Sequence, residues 1–331
     1  MFRKNNIFFQ ASFHTLTNKK LSKVSISGFT MVRNATRYYF PIKESILSIL
    51  PIVDEFIVAL GDCDSDDKTR EEIESINSDK IKIIDRVWSE RDFIDGKVFA
   101  NETTFAMSQC KGDWCFYLQA DEVIHEKDHP MIVAACTDNL TNKNIDGFLF
   151  NYHHFFGDYE HYLPVHGWYK DEIRIVRNNA EIYSYKDAQS FRKKADEKLN
   201  VLEVNATVYH YGWVRPPHLM QSKKKEQDSI HHGRDIINEE YKSRPDTFNY
   251  GAMDKIPVFN ASHPKVMKDF RAKISWIDQL NYSKKAKLNR DKMKHEKFKY
   301  QLLTFLENTF NGGKDFWGYS NWNKATTSVK K

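Results

Sequence analysis

Two clusters of acidic and polar side chains follow apolar runs and are the parts of this chain best suited to chemistry. The first spans residues 61–69, GDCDSDDKT, after the apolar run 56–60. The second spans residues 119–122, QADE, after the apolar run 114–118. Carboxylates gathered in this way hold divalent cations or exchange protons with a substrate. Taken alone, either cluster is more typical of a capping or surface turn than of a site, so the position of the two clusters in the fold decides their use.

The spacing of apolar residues predicts the elements that position these clusters. Strands and helices alternate from residue 24 onward, and the strand runs do not alternate with polar residues. Strands of that kind are covered on both faces, as in a parallel sheet with crossover helices, and such sheets bind ligands beyond the carboxyl ends of their strands. The predicted elements are strands at 24–32, 56–60, 80–87 and 114–118 and helices at 39–50, 69–77 and 98–110.

The second half of the chain has a different texture, with aromatic-rich loops between its predicted strands. Its predicted elements are a helix at 130–136, strands at 147–156, 172–176 and 201–209, helices at 220–241 and a largely helical stretch at 264–310. The Pro216-Pro217 pair marks a break. We therefore predict an extension at 1–22, a domain at 23–215 with halves 23–125 and 126–215, and a mainly helical region at 216–331.

Composition excludes several classes of protein. The chain has 331 residues, 40% of them hydrophobic and 29% charged, which excludes disordered and low-complexity proteins. No apolar run reaches the roughly 20 residues that span a bilayer. The four cysteines form no C-x-x-C pair and no zinc spacing, which favours a reducing compartment and a cytoplasmic protein.

The positive charge of the chain is concentrated in one segment. Residues 283–299 hold eight Lys or Arg against two acids, a net charge of +6, whereas the whole chain carries +5. The remainder is therefore near neutral at −1, which argues against a nucleic-acid-binding body. The run from Lys284 to Lys299 is either a solvated face or a surface that contacts an anionic membrane peripherally.

The order and spacing of these segments resemble the family 2 glycosyltransferases of the GT-A fold. In that family a strand precedes an Arg-Asn turn, a loop like D-D-G-S-T-D-D-T follows the next strand, a helix carries an Asn, and a later strand ends in D-A-D-D or D-A-D-E. The resemblance covers roughly residues 23–215. The matching positions are Arg33-Asn34, the loop from Asp62 to Thr69, Asn101, Gly112 and Ala120-Asp121-Glu122.

The resemblance implies an α/β protein with a GT-A type nucleotide-sugar-binding fold, a mostly parallel central sheet flanked by helices, and a helical C-terminal extension. It implies a nucleotide-diphosphate-sugar donor and a divalent cation, Mg²⁺ or Mn²⁺, held at Asp121. Gln119 stands where the family usually has the first acid of its D-x-D motif, which weakens the expected metal site. The implied donor-binding residues are Arg33, Asn34, Asp62, Asp64, Lys97, Asn101, Gln119, Ala120 and Asp121.

An inverting transferase also needs a base for the acceptor hydroxyl, and the family takes it from the second half of the domain. Asp187, among aromatic residues, is the first choice, and Asp171 and Glu172 are the alternatives; a solvated turn acid is the competing interpretation of Asp187. By the same resemblance His210 is a second metal ligand, although a packed core histidine has the same surroundings. The pairs His153-His154 and His231-His232 are expected at the surface or in the acceptor site.

The expected activity is inverting transfer of a sugar to a glycan or lipid-linked acceptor, as in polysaccharide biosynthesis, with no nucleic-acid partner. The aromatic loop at 152–169 either stacks on acceptor sugars or packs in a core. Two rival functions stay open. One is a nucleotide-sugar-binding protein without transfer, which Gln119 favours, and the other is a nucleic-acid-binding protein that uses the basic segment.

Overall fold

Apolar runs bounded by turn residues fold as strands in the computed structural model, which describes residues 23–93, 95–283, 285–316 and 320–325. The predicted extension at 1–22 and Lys284 lie outside the described residues. The described strands are β1 (Ile26–Val32), β2 (Glu55–Leu60), β3 (Ile81–Asp85), β4 (Trp114–Tyr117), β5 (Glu122–Ile124), β6 (Gly147–Phe156), β7 (Asp171–Arg177), β8 (Tyr183–Tyr185), β9 (Ser190–Lys193), β10 (Glu197–Trp213) and β11 (Trp322–Lys324).

The helices of the first half connect these strands, and those of the second half follow the last long strand. None of the helices in the described part of the chain is both long and apolar enough to cross a membrane. The described α-helices are α1 (Ile42–Ile49), α2 (Thr69–Glu74), α3 (Lys97–Ser108), α4 (His129–Asp138), α5 (Pro217–His232), α6 (Arg234–Tyr241), α7 (Lys268–Arg271) and α8 (Phe298–Phe310).

The central sheet confirms the predicted α/β class. Its strand order is β3-β2-β1-β4-β7-β6-β10. β7 pairs antiparallel with both β4 and β6, and every other pairing along this order is parallel. Only β7 is therefore reversed among these seven strands, and the mostly parallel sheet implied by the GT-A resemblance is present.

Both faces of the sheet are covered, which explains why the strand runs do not alternate. In β2, Phe56 and Val58 belong to one buried cluster, and Ile57 and Ala59 belong to another on the opposite face. Successive side chains of a strand point to opposite faces, so a strand between two helix layers must be apolar at every position. A third, aromatic-rich cluster joins β6 and β10 to residues 248–280.

Three predicted helical segments differ from the structure. The helix predicted at 39–50 begins at Ile42, because Tyr39 has a φ of 57° and Pro41 follows it. The helix predicted at 220–241 is divided into α5 and α6 at Gly233, whose φ is 89°. Between residues 264 and 310 the only α-helices in the described part are α7 and α8, so this stretch is less helical than predicted.

Candidate active site

A cavity of about 320 Å³ opens at the carboxyl ends of β1 and β4. These strands are neighbours in the sheet, and the chain order reverses between them, because β2 and β3 lie on one side of β1 and the later strands lie beyond β4. Open α/β sheets bind ligands in the crevice that such a reversal leaves. The turn after β1 and residues 119–121 after β4 both line the cavity.

The turn after β1 places Arg33 and Asn34 against the cavity. Asn34 has a φ of 54°, in the left-handed region that Asn adopts more readily than most residues. Its Oδ1 accepts a hydrogen bond from the backbone N of Asp64 at 2.8 Å, and Arg33 Nε donates to the backbone O of Asp62 at 3.0 Å. The Arg33 guanidinium also lies 5.7 Å from the ring centre of Trp88. The Arg-Asn turn and the acidic loop are therefore joined at the cavity edge.

The acidic loop after β2 uses most of its carboxylates to hold this turn. Asp67 accepts a hydrogen bond from the backbone N of Arg37 at 2.8 Å, and Asp64 forms an ion pair with Arg37 at 3.2 Å. Burial raises the pKa of Asp67, but hydrogen bonds to its carboxylate outweigh burial and lower the pKa. Asp62 Oδ1 accepts a hydrogen bond at 3.0 Å from the backbone N of Trp88, which lines the cavity.

Glu122 is a buried anchor for the turn after β4. Arg174 donates to both of its carboxylate oxygens, at 2.7 and 2.8 Å, and the Tyr152 hydroxyl donates to Oε1 at 2.8 Å. The backbone N of Gln119 donates to Oε2 at 3.1 Å. Because both oxygens have protein partners, Glu122 fixes the turn and leaves Asp121 as the acid that faces the cavity.

Asp121 and His210 meet inside the cavity, with Asp121 Oδ2 3.6 Å from His210 Nε2. A hydrogen-bonded chain sets the tautomer of His210. His154 Nε2 donates to the backbone O of Tyr169 at 2.7 Å, so the neutral His154 ring accepts at Nδ1 from His210 Nδ1 at 2.8 Å. Burial and the neighbouring His210 hold the pKa of His154 well below its usual value, which keeps that ring neutral. Neutral His210 therefore has a free lone pair on Nε2, beside Asp121.

Gly212 leaves open the space between these two ligand atoms. A Cβ at Gly212 would lie 2.5 Å from His210 Nε2 and 2.7 Å from Asp121 Oδ2, so any other side chain would fill the gap. Divalent cations bind carboxylate oxygen and imidazole nitrogen at roughly 2.0–2.2 Å, so one ion can bridge this pair. Burial raises the pKa of Asp121, but contact with a protonated His210 ring and the charges of Lys223 and Arg215 outweigh burial and lower the pKa, so Asp121 is ionised and a cation can replace the His210 proton. The two ligand atoms, Asp121 Oδ2 and His210 Nε2, therefore fit a divalent cation.

Glu172 on β7 is a second acid that lines the cavity. It is only 2% exposed, and its Oε2 has no hydrogen-bond partner among the described residues. Burial raises its pKa to about 8; the charge of Arg174 acts in the opposite direction, whereas Glu122 and Asp187 add to the increase. Near neutral pH Glu172 is therefore mostly protonated and offers an unpaired polar oxygen to a ligand.

Asp187 lies in the short turn between β8 and β9 and also lines the cavity. The residues on either side of it, Lys186 and Ala188, have φ values of 56° and 60°. This left-handed conformation costs a non-glycine residue roughly 1–2 kcal/mol and is concentrated at functional sites. A Cβ at Gly96, just before α3, would lie 2.9 Å from Asp187 Cβ, so only glycine permits this close approach. The turn is thus held tightly with Asp187 at its centre.

Helix α5 forms another wall of the cavity, although the sequence predicts it as part of a separate C-terminal region. Its lining residues are three, four, seven and eight positions apart and therefore share one helix face. Aromatic rings from Phe40, Trp168, Tyr169 and Trp213 complete the enclosure. The lining residues of α5 are Lys223, Glu226, Gln227, Ile230 and His231.

The structure brings most of the predicted site residues together. Those that line the cavity are Arg33, Asn34, Gln119, Ala120, Asp121, Asp187 and His210. Asp62 and Asp64 lie in the loop at its edge. Of the alternative bases, Glu172 lines the cavity and Asp171 does not.

Lys97 and Asn101 are not brought to the cavity. They are four residues apart and share one face of α3, and the structure turns that face to solvent. The Asn101 amide donates to Asp92 Oδ2 at 3.1 Å. The buried face of α3 carries Glu102, which binds Arg86 through both carboxylate oxygens.

Sequence reasoning missed three residues that shape the site: His154, Gly212 and Lys223. Adjacent histidines on a strand point to opposite faces, so the pair at 153 and 154 shows no chelate. His154 is nevertheless buried and lies opposite His210 in the register of β6 with β10, so its expected surface position is wrong. A glycine inside a strand, two positions after a histidine, is the signal that points to Gly212.

No family model matches the chain, and no curated protein sequence matches it either. Solved structures do show similarity. Glucosyl-3-phosphoglycerate synthase from Mycobacterium tuberculosis, in complex with Mn²⁺, uridine diphosphate and phosphoglyceric acid, is 21% identical, with 40% of this chain and 43% of that chain covered and a TM-score of 0.26. Mannosyl-3-phosphoglycerate synthase from Rubrobacter xylanophilus is 17% identical, with 40% and 41% covered and a TM-score of 0.28. TarS from S. aureus is 12% identical, with 66% and 43% covered and a TM-score of 0.34.

This chain thus spans less than half the length of each of these three proteins. The fold of this protein is described by its own strand order, which is that of an α/β protein with a mostly parallel sheet and one reversed strand. The acids and the cavity lie at the edge of the sheet where open α/β sheets bind their ligands.

Proposed function

We propose that this protein is a glycosyltransferase that moves a sugar from a nucleotide-diphosphate sugar to a glycan or lipid-linked acceptor, with inversion at the anomeric carbon. The observation that carries the proposal is the pairing of Asp121 and His210 around the gap at Gly212, inside a cavity at the reversal point of the sheet. The resemblance of residues 23–215 to the family 2 glycosyltransferases, together with the mostly parallel sheet that it implies, supports the proposal.

Asp121 and His210 would hold a divalent cation, Mg²⁺ or Mn²⁺. When bound, such a cation neutralises charge on the donor diphosphate. The neighbouring Gln119 adds a neutral amide where a second acid is expected, so the protein supplies one carboxylate and one imidazole. The Arg33-Asn34 turn and the loop at Asp62 would orient the nucleotide, with Trp88 beside them as an aromatic face.

Asp187 is our first choice for the general base. In the reaction, the acceptor oxygen bonds to the anomeric carbon while the bond from that carbon to the diphosphate oxygen breaks, and the hydroxyl proton passes to the carboxylate. Asp187 lies at the centre of a short turn that lines the cavity and approaches Gly96 closely, which suits a group that must be positioned against the acceptor hydroxyl. Glu172 is the alternative, but its pKa of about 8 keeps it protonated near neutral pH, where it is better suited to donate a hydrogen bond.

Three variants test these roles. Asp121→Ala is expected to abolish nucleotide-dependent sugar transfer and weaken metal binding, and Asp187→Asn is expected to abolish transfer while nucleotide binding persists. Asp79→Asn, an exposed acid outside the cavity, is the matched control. Transfer at the wild-type rate in either cavity variant contradicts that residue's role.

One comparison distinguishes the proposed transferase from the rival function, which is donor binding without transfer. Calorimetric titration with nucleotide sugars measures binding, and release of nucleoside diphosphate, with and without Mn²⁺, measures turnover. The proposal predicts both. Binding with no turnover across a panel of acceptors and water favours the rival.

We also propose that this protein contacts the cytoplasmic face of an anionic membrane through its basic segment and α8. An exposed apolar stripe runs along α8, where Phe298, Leu302 and Phe305 are 77%, 44% and 64% exposed. Lys285 and Lys292 line a neighbouring groove together with Phe305. Apolar side chains among lysines are the combination that binds anionic lipid surfaces, at about 1 kcal/mol for each lysine.

Vesicle sedimentation tests this contact. The protein should bind vesicles containing phosphatidylglycerol more strongly than pure phosphatidylcholine vesicles, with binding lost as salt rises. The double change Phe298→Ser and Phe305→Ser should weaken binding, whereas Ile236→Ser, at a position 60% exposed on α6, should not. Equal binding to both lipids, or a stripe that is covered by a second copy of the chain in solution, contradicts the proposal.

A further inference from the structure

Lys223 is a cavity residue to which the proposed function has assigned no role. It projects from α5, and its Nζ donates to the backbone O of Gly212 at 3.3 Å. The ring centres of Trp213 and Phe40 lie 5.5 and 5.9 Å from the same nitrogen. Within the described residues Lys223 has no carboxylate ion-pair partner. It is a lysine enclosed by aromatic rings and a carbonyl, without a counter-ion.

Gly212 connects Lys223 to the proposed cation site. The Cα of Gly212 faces the gap between Asp121 Oδ2 and His210 Nε2, while its carbonyl accepts from Lys223 and, at 3.0 Å, from Arg215. Gly212 thus contacts the lysine ammonium through its carbonyl and borders the gap between the two ligand atoms through its Cα. A diphosphate bound to a cation in that gap would therefore lie near Lys223, which lines the same cavity.

The charges of the cavity favour an anion at this position. Arg215 is fully buried and donates hydrogen bonds to the backbone oxygens of Tyr38 and Gly212, so it holds the backbone in place. Burial and the Arg215 charge lower the pKa of Lys223 to about 7, although Asp121 acts in the opposite direction. A phosphate oxygen next to Lys223 would supply the missing counter-charge and form a charge-assisted hydrogen bond.

Because Gln119 replaces an acid, a positively charged side chain next to the diphosphate contributes more to neutralising its charge. A neutral amide in the place of an acid leaves one protein carboxylate, Asp121, to hold a metal beside the diphosphate. A lysine that contacts the same diphosphate supplies positive charge that does not depend on how tightly the metal binds.

We propose that Lys223 is a catalytic residue that binds the diphosphate of the donor and stabilises it as it leaves. The inference rests on the proposed function. As the bond from the anomeric carbon to the diphosphate oxygen breaks, its electron pair stays on that oxygen, and the Lys223 ammonium neutralises the growing charge. Lys223 transfers no proton in this step, because Asp187 takes the acceptor proton.

The test compares nucleotide binding by two lysine variants on the same helix. Lys223→Met removes the cavity ammonium, and Lys225→Met makes the same change about 200° around the helix, outside the cavity lining. The ligands are the di- and monophosphates of uridine, guanosine, cytidine, adenosine and thymidine, titrated calorimetrically with and without Mn²⁺. We expect Lys223→Met to bind the preferred diphosphate roughly ten- to one-hundred-fold more weakly and the monophosphate with much less change.

Turnover gives a second readout. Lys223→Met should lower kcat more than it raises KM for the donor, Lys223→Arg should restore part of kcat because it restores the charge, and Lys225→Met should match the wild type. A merely structural role predicts instead that both nucleotides weaken together and that charge does not matter. If Lys223→Met unfolds, the pair Lys223→Gln and Lys223→Arg makes the same comparison.

The outcomes separate the two proposals. If the wild type binds none of the diphosphates, the proposed function is wrong. If the wild type binds one of them and Lys223→Met or Lys223→Gln binds it as tightly, with unchanged kcat, the role of Lys223 is wrong and the proposed function stands.

Discussion

At the scale of single residues, the site depends on the ligand atoms of Asp121 and His210 and on the glycine at position 212, which has no side chain to fill the space between them. In its neutral form His210 presents the lone pair of Nε2, because its Nδ1 donates to His154 Nδ1, and His154 can accept there because its own Nε2 donates to the Tyr169 carbonyl. Gly212 keeps the resulting gap beside Asp121 open. A partner that orients a ligating histidine typically changes metal affinity 10- to 100-fold.

Filling that gap should remove the cation site. Gly212→Ala places a methyl group between Asp121 Oδ2 and His210 Nε2. We expect Mn²⁺ affinity, measured by electron paramagnetic resonance titration in the presence of nucleoside diphosphate, to fall at least about tenfold, as it should in His210→Ala. Wild-type affinity in a folded Gly212→Ala protein would show that the cation binds elsewhere.

The raised pKa of Glu172 makes stability depend on pH. Its folded pKa is about 8 and its ordinary value is 4.5, so its contribution to stability is complete below about pH 4.5 and is lost as the pH rises through about 8. Glu172→Gln cannot ionise and should therefore gain a few kcal/mol over the wild type at pH 8.5 and little at pH 5. Urea unfolding at both pH values measures this, with Asp79→Asn as the control. A gain that is equal at both pH values would contradict the assignment.

The sequence predicts those residues of the site that belong to continuous motifs. Asp121 and Asn34 follow strands whose apolar runs are unmistakable, so their meeting at one sheet edge is predictable. Lys223 and His154 enter the site through tertiary contacts, with α5 packed over the cavity and β6 paired with β10. No local spacing encodes those contacts.

At the scale of elements, α8 is held to the loop before β7 by one buried carboxylate. Glu307 on α8 is fully buried and accepts from His166 Nδ1 at 2.7 Å, from Lys170 Nζ at 3.3 Å and from the backbone N of Phe316 at 3.0 Å. His166, Glu307 and Asp315 are close enough together for a metal site, but Lys170 Nζ lies 2.5 Å from Asp315 and supplies the positive charge there. The cluster therefore anchors α8.

Removing that carboxylate should loosen α8. Glu307→Ala removes the buried acceptor of His166, Lys170 and the Phe316 backbone and leaves Asp315 as the remaining acid, and we expect a loss of about 2 kcal/mol in the free energy of unfolding. Asn308→Ala, the exposed neighbour on the same helix, is the control. Urea unfolding measures both, and equal stability of the two variants would show that the cluster does not hold the helix.

Elements with strong apolar periodicity were predictable, and short or polar ones were not. β6 has the bounds that its apolar run predicts, 147–156. β5 and β8 have three residues each, too few for any period to appear. At the start of the basic segment, residues 283–299, the backbone N of Ser283 donates a hydrogen bond to the Asn281 side chain at 2.9 Å. Local bonds of this kind compete with helix formation.

At the scale of the whole molecule, the candidate site is assembled from both sides of the break predicted at residues 216–217. Its lining begins at Met31 and ends at His231. The aromatic-rich cluster likewise joins Phe155 and Tyr211 to Phe248 and Trp276. The domain boundary at 215 stays a prediction. Because residues from both sides of it line the cavity and share the aromatic-rich cluster, the region after residue 215 helps to build the site.

We propose above all that this cavity binds a nucleoside diphosphate through Asp121 and a divalent cation. Calorimetric titration of the wild type and Asp121→Ala with the five common nucleoside diphosphates, in Mn²⁺ and in chelator, tests this most directly. We expect the wild type to bind at least one diphosphate in Mn²⁺, and we expect chelator and Asp121→Ala each to weaken that binding. Binding of none of the five, or equal binding by Asp121→Ala, would contradict it.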